Sequence, residues 1–238
     1  MSLFKTIFFG KNLTNHRNHQ TPVKKQLLTI QAIWNNYHYK DAGLEKLVRV
    51  LLAISQLFFP GIYIRQFFWR FGNLAEDFST DVYVLLKFFV PAMVLYFSTA
   101  HETIAMVLCV VFLVETIAYV SSLVFASDMF SRPRSYRRAM LLLFFNYLEI
   151  VFTFAVLYSS GDNVSPAFGG ALDAIYFSFS TSATIGFGDF VPATKMAKVL
   201  VIFQSVVYLM FLVIFVNVFA NKIEQRGYFG KGSDQDQE

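Results

Sequence analysis

Hydrophobic residues occur along this chain in long blocks, which short polar or basic segments separate. Each block is about twenty residues long, the length that an α-helix needs to cross a hydrocarbon core of roughly 30 Å. Four blocks predict spanning helices, at residues 82–97, 103–126, 139–159 and 196–220. The pattern therefore predicts an all-α, multi-pass integral membrane protein.

The composition agrees with a membrane location, because 55% of the 238 residues are hydrophobic and only 15% are charged. A soluble domain of this size is rarely so apolar. The net charge of +4 lies in the segments between the blocks, where cytoplasmic loops carry Lys and Arg. We therefore expect no nucleic acid partner. No arrangement of a nucleophile with a base stands out in the sequence, so we do not expect an enzyme.

Basic residues also predict the orientation in the membrane. Residues 1–43 are polar and basic, which is typical of a cytoplasmic N-terminal segment, and the polar tail at 221–238 is assigned to the same side. The connector between the second and third blocks is assigned to the cytoplasm by its four arginines, Arg132, Arg134, Arg137 and Arg138. These arginines are also candidate contacts for anionic lipid headgroups.

The segment 47–64 is ambiguous, because it is apolar but contains Arg49 and is interrupted by Pro60 and Gly61. If both termini are cytoplasmic, the number of crossings must be even, which favours an interfacial or re-entrant helix bent at Pro60-Gly61. The alternative is a fifth crossing, with the N-terminus outside. In either case residues 44–130 are predicted to be peripheral membrane helices that precede a separate module.

That module is predicted at residues 131–220, where an outer helix at 139–159 and an inner helix at 196–220 enclose a different pattern. The intervening segment has a polar, Gly-rich stretch, a moderately apolar run at 171–182 and a second Gly-rich turn before Pro192. It is too short to cross the membrane twice. Irregular backbone at membrane depth is tolerated only where protein buries it or where it lines a water-filled path. The pattern therefore predicts a re-entrant loop with a short pore helix.

Within the loop, the run Thr184-Ile185-Gly186-Phe187-Gly188-Asp189 resembles the signature of the potassium channel family, Thr-x-Gly-Tyr/Phe-Gly-Asp. The preceding Ala174-Ile175-Tyr176-Phe177 is similar to the aromatic end of that family's pore helix, and the resemblance covers roughly residues 139–220. It implies a potassium-selective channel subunit that conducts K⁺ passively through a homotetramer, with four filters around one axis.

The resemblance also implies roles for individual residues. Backbone carbonyls of Thr184, Ile185, Gly186, Phe187 and Gly188 would replace the hydration shell of K⁺, with ions at Thr184 to Phe187 and no other cofactor. Carbonyls that all point inward require unusual backbone angles at alternate residues, which Gly186 and Gly188 adopt at little cost. Residues expected to support the filter are Asp189, Tyr176, Phe177 and Ser180.

Two other functions stay open, a non-selective cation channel and a non-conducting membrane regulatory subunit. In the inner helix, four residues share one face by their spacing and are candidates for the cavity and inner gate: Leu209, Leu212, Val216 and Ala220. Contacts with lipid or with other helices explain the same positions equally well.

Three ionisable residues fall at a similar depth inside the predicted spanning helices, namely Lys87, Glu115 and Glu149. Because unpaired charges at that depth are costly, we expect Lys87 to pair with Glu115 or with Glu149. No spanning block has basic residues at every third position, so strong intrinsic voltage gating is not expected. The run Asn163-Val164-Ser165 matches the pattern of a glycosylation acceptor, which Pro166 weakens.

Overall fold

The structure, a computed structural model, describes residues 20–35, 43–98, 100, 102–126, 136–161 and 163–224. Two of the predicted lipid contacts, Arg132 and Arg134, lie outside these residues. The side chain of Ala220 and the predicted tail beyond residue 224 also lie outside them.

The described chain consists of helices, with one minimal strand pair. The helices are α1 (Pro22–Trp34), α2 (Gly43–Ser55), α3 (Pro60–Phe68), a 3₁₀ turn (Trp69–Phe71), α4 (Asn73–Tyr96), α5 (Thr103–Phe125), α6 (Tyr136–Ser159), α7 (Ala171–Ser182) and α8 (Lys195–Glu224). The strands are β1 (Val164–Ser165) and β2 (Val191–Pro192), which pair antiparallel. This architecture confirms the predicted all-α fold class.

Helices α4, α5, α6 and α8 are long and apolar enough to cross a membrane, with mean hydropathies between 1.6 and 2.8. This finding confirms a multi-pass membrane protein. Helix α4 begins at Asn73, well before the predicted start at residue 82. The extra turns contain acidic residues that pair with arginines of other helices. Glu76 binds Arg65 of α3, with 2.7 Å between Oε1 and Nη2, and Asp81 binds Arg138 of α6. Partner helices, rather than lipid, therefore satisfy these acidic side chains.

The ambiguous segment 47–64 is not a single helix but the end of α2 followed by the start of α3, with a bend of 59° between the two helices. Pro60 occupies the start of α3, where a missing backbone N–H leaves no hydrogen bond broken. By length and composition the pair is either a broken span or a re-entrant loop, which gives four or five crossings.

The predicted polar segment 1–43 contains helix α1, which the apolar pattern did not indicate. Thr21 caps this helix, since its hydroxyl accepts a hydrogen bond from the Lys24 amide at 3.4 Å. Ile33 of α1 is fully buried against Val50 and Ala53 of α2. The segment is therefore folded onto the membrane helices over residues 22–34.

Helix α6 is the centre of the fold, because it contacts α4, α5, α7 and α8. Its residues Ile150, Phe154 and Tyr158 lie in the main core cluster with Val207 and Phe211 of α8. The peripheral helices and the re-entrant loop therefore share one supporting helix.

Candidate functional site: the pore loop

The pore helix α7 is held by an aromatic core at its middle. Phe177 is buried and its ring lies 4.8 Å from the ring of Tyr158, in an edge-to-face arrangement. On another side its ring lies 6.0 Å from that of Phe168. Phe177, which was expected to support the filter, is therefore located in the packing between α7 and α6.

A buried polar network fixes the same helix to both neighbouring membrane helices. The Ser178 hydroxyl donates to the Val151 carbonyl of α6 at 2.7 Å. The Gln204 side-chain amide of α8 donates to the Ser178 carbonyl at 3.0 Å and to its hydroxyl oxygen at 2.9 Å. The Tyr158 hydroxyl completes the network by donating to Gln204 Oε1 at 2.8 Å. Because unsatisfied polar groups are costly away from water, this network fixes the position of α7.

Sequence reasoning missed Gln204, Ser178 and Tyr158. The available signal was Gln204 itself, a polar residue within the most apolar of the four spanning segments. A polar side chain in such a helix usually faces another polar group in the protein interior.

The last turn of α7 accepts backbone hydrogen bonds from the first residues of the predicted filter segment. The Ser180 carbonyl accepts hydrogen bonds from the amides of Ile185 at 3.0 Å and Gly186 at 3.4 Å. The amide of Thr184 donates to the Thr181 carbonyl at 3.1 Å. Ser180 therefore contacts the filter through its backbone.

The filter segment alternates between two kinds of backbone conformation. Thr184, Gly186 and Gly188 have φ angles of 55°, 58° and 85°, whereas Ile185 and Phe187 between them are not among the positive-φ residues. Successive carbonyls of a regular strand point to opposite sides, and left-handed residues at every second position break that repeat. This is the alternation that carbonyls pointing the same way require. The sequence predicted it at the two glycines, and Thr184 extends it by one step.

Tyr176 and Asp189 lie against the outer half of the segment. The Tyr176 ring stacks on the Phe187 ring, with 6.1 Å between centroids and 7° between planes. The Tyr176 hydroxyl also donates a hydrogen bond to the Asp189 carboxylate, and this bond raises the pKa of the Tyr176 phenol above its usual value. The structure therefore brings both of these residues against the segment that the sequence predicts as the filter.

The strand pair closes the outer end of the loop. Val164 is opposite Pro192, and the Ala193 amide donates to the Asn163 carbonyl at 2.9 Å. The Asn163 side chain accepts a hydrogen bond from the Thr194 hydroxyl at 2.9 Å and donates to the Leu157 carbonyl at 3.4 Å. The amide nitrogen that a glycan would occupy is thus used in the fold.

The candidate cavity face of the inner helix is exposed in the single subunit. Leu209, Leu212 and Val216 expose 54%, 44% and 61% of their surface, whereas Phe211 and Ile214 on the opposite face are buried. The exposed face is available to a pore, a neighbouring subunit or lipid.

The structure describes the surroundings of two charged side chains for which contacts were predicted, Lys87 and Arg138. Lys87 Nζ lies 4.0 Å from Glu115 Oε2, while Glu149 is fully buried on the neighbouring helix. Arg138, one of the predicted lipid contacts, pairs within the fold, because its guanidinium lies 3.1 Å from Asp77 and 2.6 Å from Asp81 of α4. Arg137 remains exposed.

Comparison with known proteins gives one match. A family model described as an ion channel matches residues 140–225, just over a third of the chain. The matched residues contain the greater part of α6, the pore loop and α8. No curated protein and no solved structure gives a match. The match confirms the family resemblance of this segment: residues 140–225 are similar to an ion channel domain.

Proposed function

We propose that this chain is a subunit of a potassium-selective channel, in which four copies surround one pore and conduct K⁺ passively. The observation that carries the proposal is the alternation of left-handed residues at Thr184, Gly186 and Gly188. Carbonyl rings from four such segments would replace the water around a dehydrated K⁺ ion. Potassium is here the transported substrate, bound at Thr184 to Gly188.

Exposure of the segment in one subunit supports assembly. Ile185 and Phe187 expose 56% and 67% of their surface although both are large and apolar. Neighbouring subunits around a central axis would cover such side chains and leave the carbonyls free to face ions. We infer a homotetramer because the ion needs carbonyls from four equivalent segments.

The electrostatics of the pore helix also favour a cation. The negative end of the α7 dipole is at Ser182, directly before the filter. Below it, Leu209, Leu212, Val216 and Ala220 are proposed to line the inner cavity and gate. Arg132, Arg134 and Arg137 are proposed to contact anionic lipids, since Arg138 is engaged by α4.

Flux measurements on purified full-length protein in liposomes test this proposal. We expect rubidium uptake driven by an outward K⁺ gradient, block by barium, and no uptake when Na⁺ replaces K⁺. Cross-linking in detergent should yield species up to four subunits. Equal support by Na⁺ would instead establish a non-selective cation channel, and a folded tetramer without flux would establish a non-conducting subunit.

A glycine pair provides a matched control for that experiment. Gly186→Ala places a Cβ at a φ of 58°, which costs about 1–2 kcal/mol for each filter segment, so we expect loss of flux. Gly170→Ala lies just before the pore helix, where φ is 174° and nothing lies within 4 Å of the added Cβ. This control should conduct like the wild type. Equal flux from both variants would contradict the assigned filter.

A further inference from the structure

Three ionisable side chains meet in the middle of the membrane-spanning bundle. They are Lys87 of α4, Glu115 of α5 and Glu149 of α6, which expose 4%, 8% and 0% of their surface. Glu149 lies about 15 Å below the outer end of α6, at 1.5 Å per residue. If all three were ionised, the cluster would carry a net charge of −1. A net charge is strongly disfavoured at this depth.

Lys87 and Glu115 are close to each other and each has further polar partners. The Lys87 ammonium lies 4.0 Å from Glu115 Oε2, donates to the Thr116 hydroxyl and lies 5.7 Å from the centroid of the Tyr83 ring. Glu115 also accepts a hydrogen bond from the Tyr83 hydroxyl. Its other oxygen faces the first turn of α3, where a Cβ on Gly61 would come within 2.7 Å of it. The positive end of that helix dipole favours a carboxylate.

Glu149 lacks comparable support. Neither of its oxygens has a hydrogen bond of ordinary geometry within the described residues, and the polar side chain that does act on it, Thr116, is the one that already accepts from Lys87. The charged and titratable groups that act on it are Lys87 and Tyr83 from α4, with Glu115 and Cys109 from α5. Lys87 already pairs with Glu115. Among the described residues of α7 and α8, no titratable group acts on Glu149. The excess negative charge therefore falls on Glu149, and a proton removes it.

A cavity of about 240 Å³ extends to Lys87 and Glu115 of this cluster from the end of the bundle assigned to the cytoplasm, while Glu149 lies behind these two side chains and does not line it. Tyr83, Lys87 and Glu115 line it, as does Thr80, which lies about two turns nearer the start of α4. Its lining also includes two further cationic residues, Lys25 of α1 and Arg65 of α3. A water molecule needs roughly 10–15 Å³ of such space and two to four polar partners. The cavity is therefore large and polar enough for several waters, which can carry protons to the cluster.

Glu149 is also close to the anchor of the pore helix. Two residues further along α6, the Val151 carbonyl accepts the hydrogen bond from the Ser178 hydroxyl. The packing described here accommodates a neutral carboxyl group at position 149. An ionised one would be drawn towards Lys87 or the cavity water, and any movement of α6 would pass through Val151 to α7 and the filter.

We propose that Glu149 is a proton-binding site that cytoplasmic protons reach through this cavity, and that loss of its proton lowers conduction through the pore. The proton leaves the Glu149 carboxyl group by way of the neighbouring Glu115 carboxylate, which lines the cavity and passes a proton to the water there, and the step is reversible. The regulatory half of this proposal rests on the proposed channel function. The proton-binding half does not.

Infrared difference spectroscopy tests proton binding without reference to conduction. Raising the pH over reconstituted wild-type protein should remove a C=O stretching band of a protonated carboxylic acid. The band should be absent from Glu149→Gln at every pH and present in Glu115→Gln, which removes the neighbouring carboxyl group as a matched control. Identical difference spectra from the wild type and Glu149→Gln would overturn the proposal.

Rubidium flux at controlled cytoplasmic-side pH tests the coupling, with signed expectations for each variant. Wild-type flux should fall as pH rises, whereas Glu149→Gln should stay within about twofold of the low-pH level. Glu115→Gln frees Lys87 for Glu149 and should shift the midpoint to lower pH. Lys87→Met removes the cation that acts on Glu149 and should shift the midpoint to higher pH, each by about one unit or more. If flux depended on pH in the same way in the wild type and in Glu149→Gln, the coupling would be overturned. Absence of wild-type flux at every pH would instead contradict the channel function, and the infrared result would then decide proton binding alone.

Discussion

The side-chain amide of Gln204 donates two hydrogen bonds to one residue of the pore helix, to the Ser178 carbonyl at 3.0 Å and to the Ser178 hydroxyl oxygen at 2.9 Å. Gln204 exposes 2% of its surface and Ser178 is fully buried. The inner helix therefore holds the pore helix by a directional contact as well as by apolar packing.

Replacement of Gln204 should loosen that contact. In Gln204→Leu the Ser178 carbonyl and the Tyr158 hydroxyl lose their partner, which should cost about 1–3 kcal/mol for each buried group left unsatisfied. We expect a lower midpoint of thermal unfolding in detergent and reduced rubidium flux. Ser205→Ala is the matched control, because the Ser205 hydroxyl bonds only back to Val201 of its own helix in the described chain. Equal midpoints for the two variants would show that the network contributes little.

The contact between Tyr176 and Asp189 should act as a unit. Tyr176→Phe and Asp189→Asn each alter the same hydrogen bond behind the outer half of the filter. We expect each variant to reduce K⁺ flux and K⁺ over Na⁺ selectivity, and the double variant to be hardly worse than either single one. Fully additive losses would indicate that the two residues act separately.

Arg138 and Arg137 are adjacent but should behave differently. Arg138 bridges Asp77 and Asp81 and is about one third exposed, so Arg138→Gln should destabilise the fold by about 1 kcal/mol. Arg137→Gln, at an exposed position, should leave the unfolding midpoint in detergent unchanged and reduce retention of anionic lipid in native mass spectrometry. The reverse pattern would contradict the pairing of Arg138 with α4.

Asn163 should remain without a glycan even when the chain is made in a glycosylating host. Its amide nitrogen and side-chain oxygen are both hydrogen-bonded within the fold, to Leu157 and Thr194. We expect no change in gel mobility on glycosidase treatment, with Asn163→Gln as the unglycosylated standard. A glycosidase-sensitive shift of the wild type alone would contradict this prediction.

The sequence was most informative about structural features that a single segment of the chain determines. Spanning helices can be recognised in the sequence because their length and hydropathy are local properties. The proposed filter segment can be recognised because glycines stand at positions 186 and 188, where φ is positive. Both features can be inferred without knowledge of neighbouring helices.

The sequence was less informative where two distant segments decide together. The start of α4 was misplaced because Glu76 and Asp81 are satisfied by Arg65 and Arg138, partners that hydropathy cannot identify. Helix α1 was missed because its burial depends on α2, where Ile33 meets Val50 and Ala53. The role of Gln204 depended likewise on the position of Ser178, which only the folded pore loop establishes.

The pairing of Val164 with Pro192 brings the two ends of the intervening segment side by side. The two ends of this loop are therefore paired with each other. A loop of different length between the two strands need not alter the spacing of α6 and α8. Polar groups of both flanking helices hold the pore helix within this loop, among them the Val151 carbonyl and the Tyr147 hydroxyl of α6 and the Gln204 side-chain amide of α8. Pore loops from other channels that carry a serine at the place of Ser178 are thus natural donors for chimaeras of this protein.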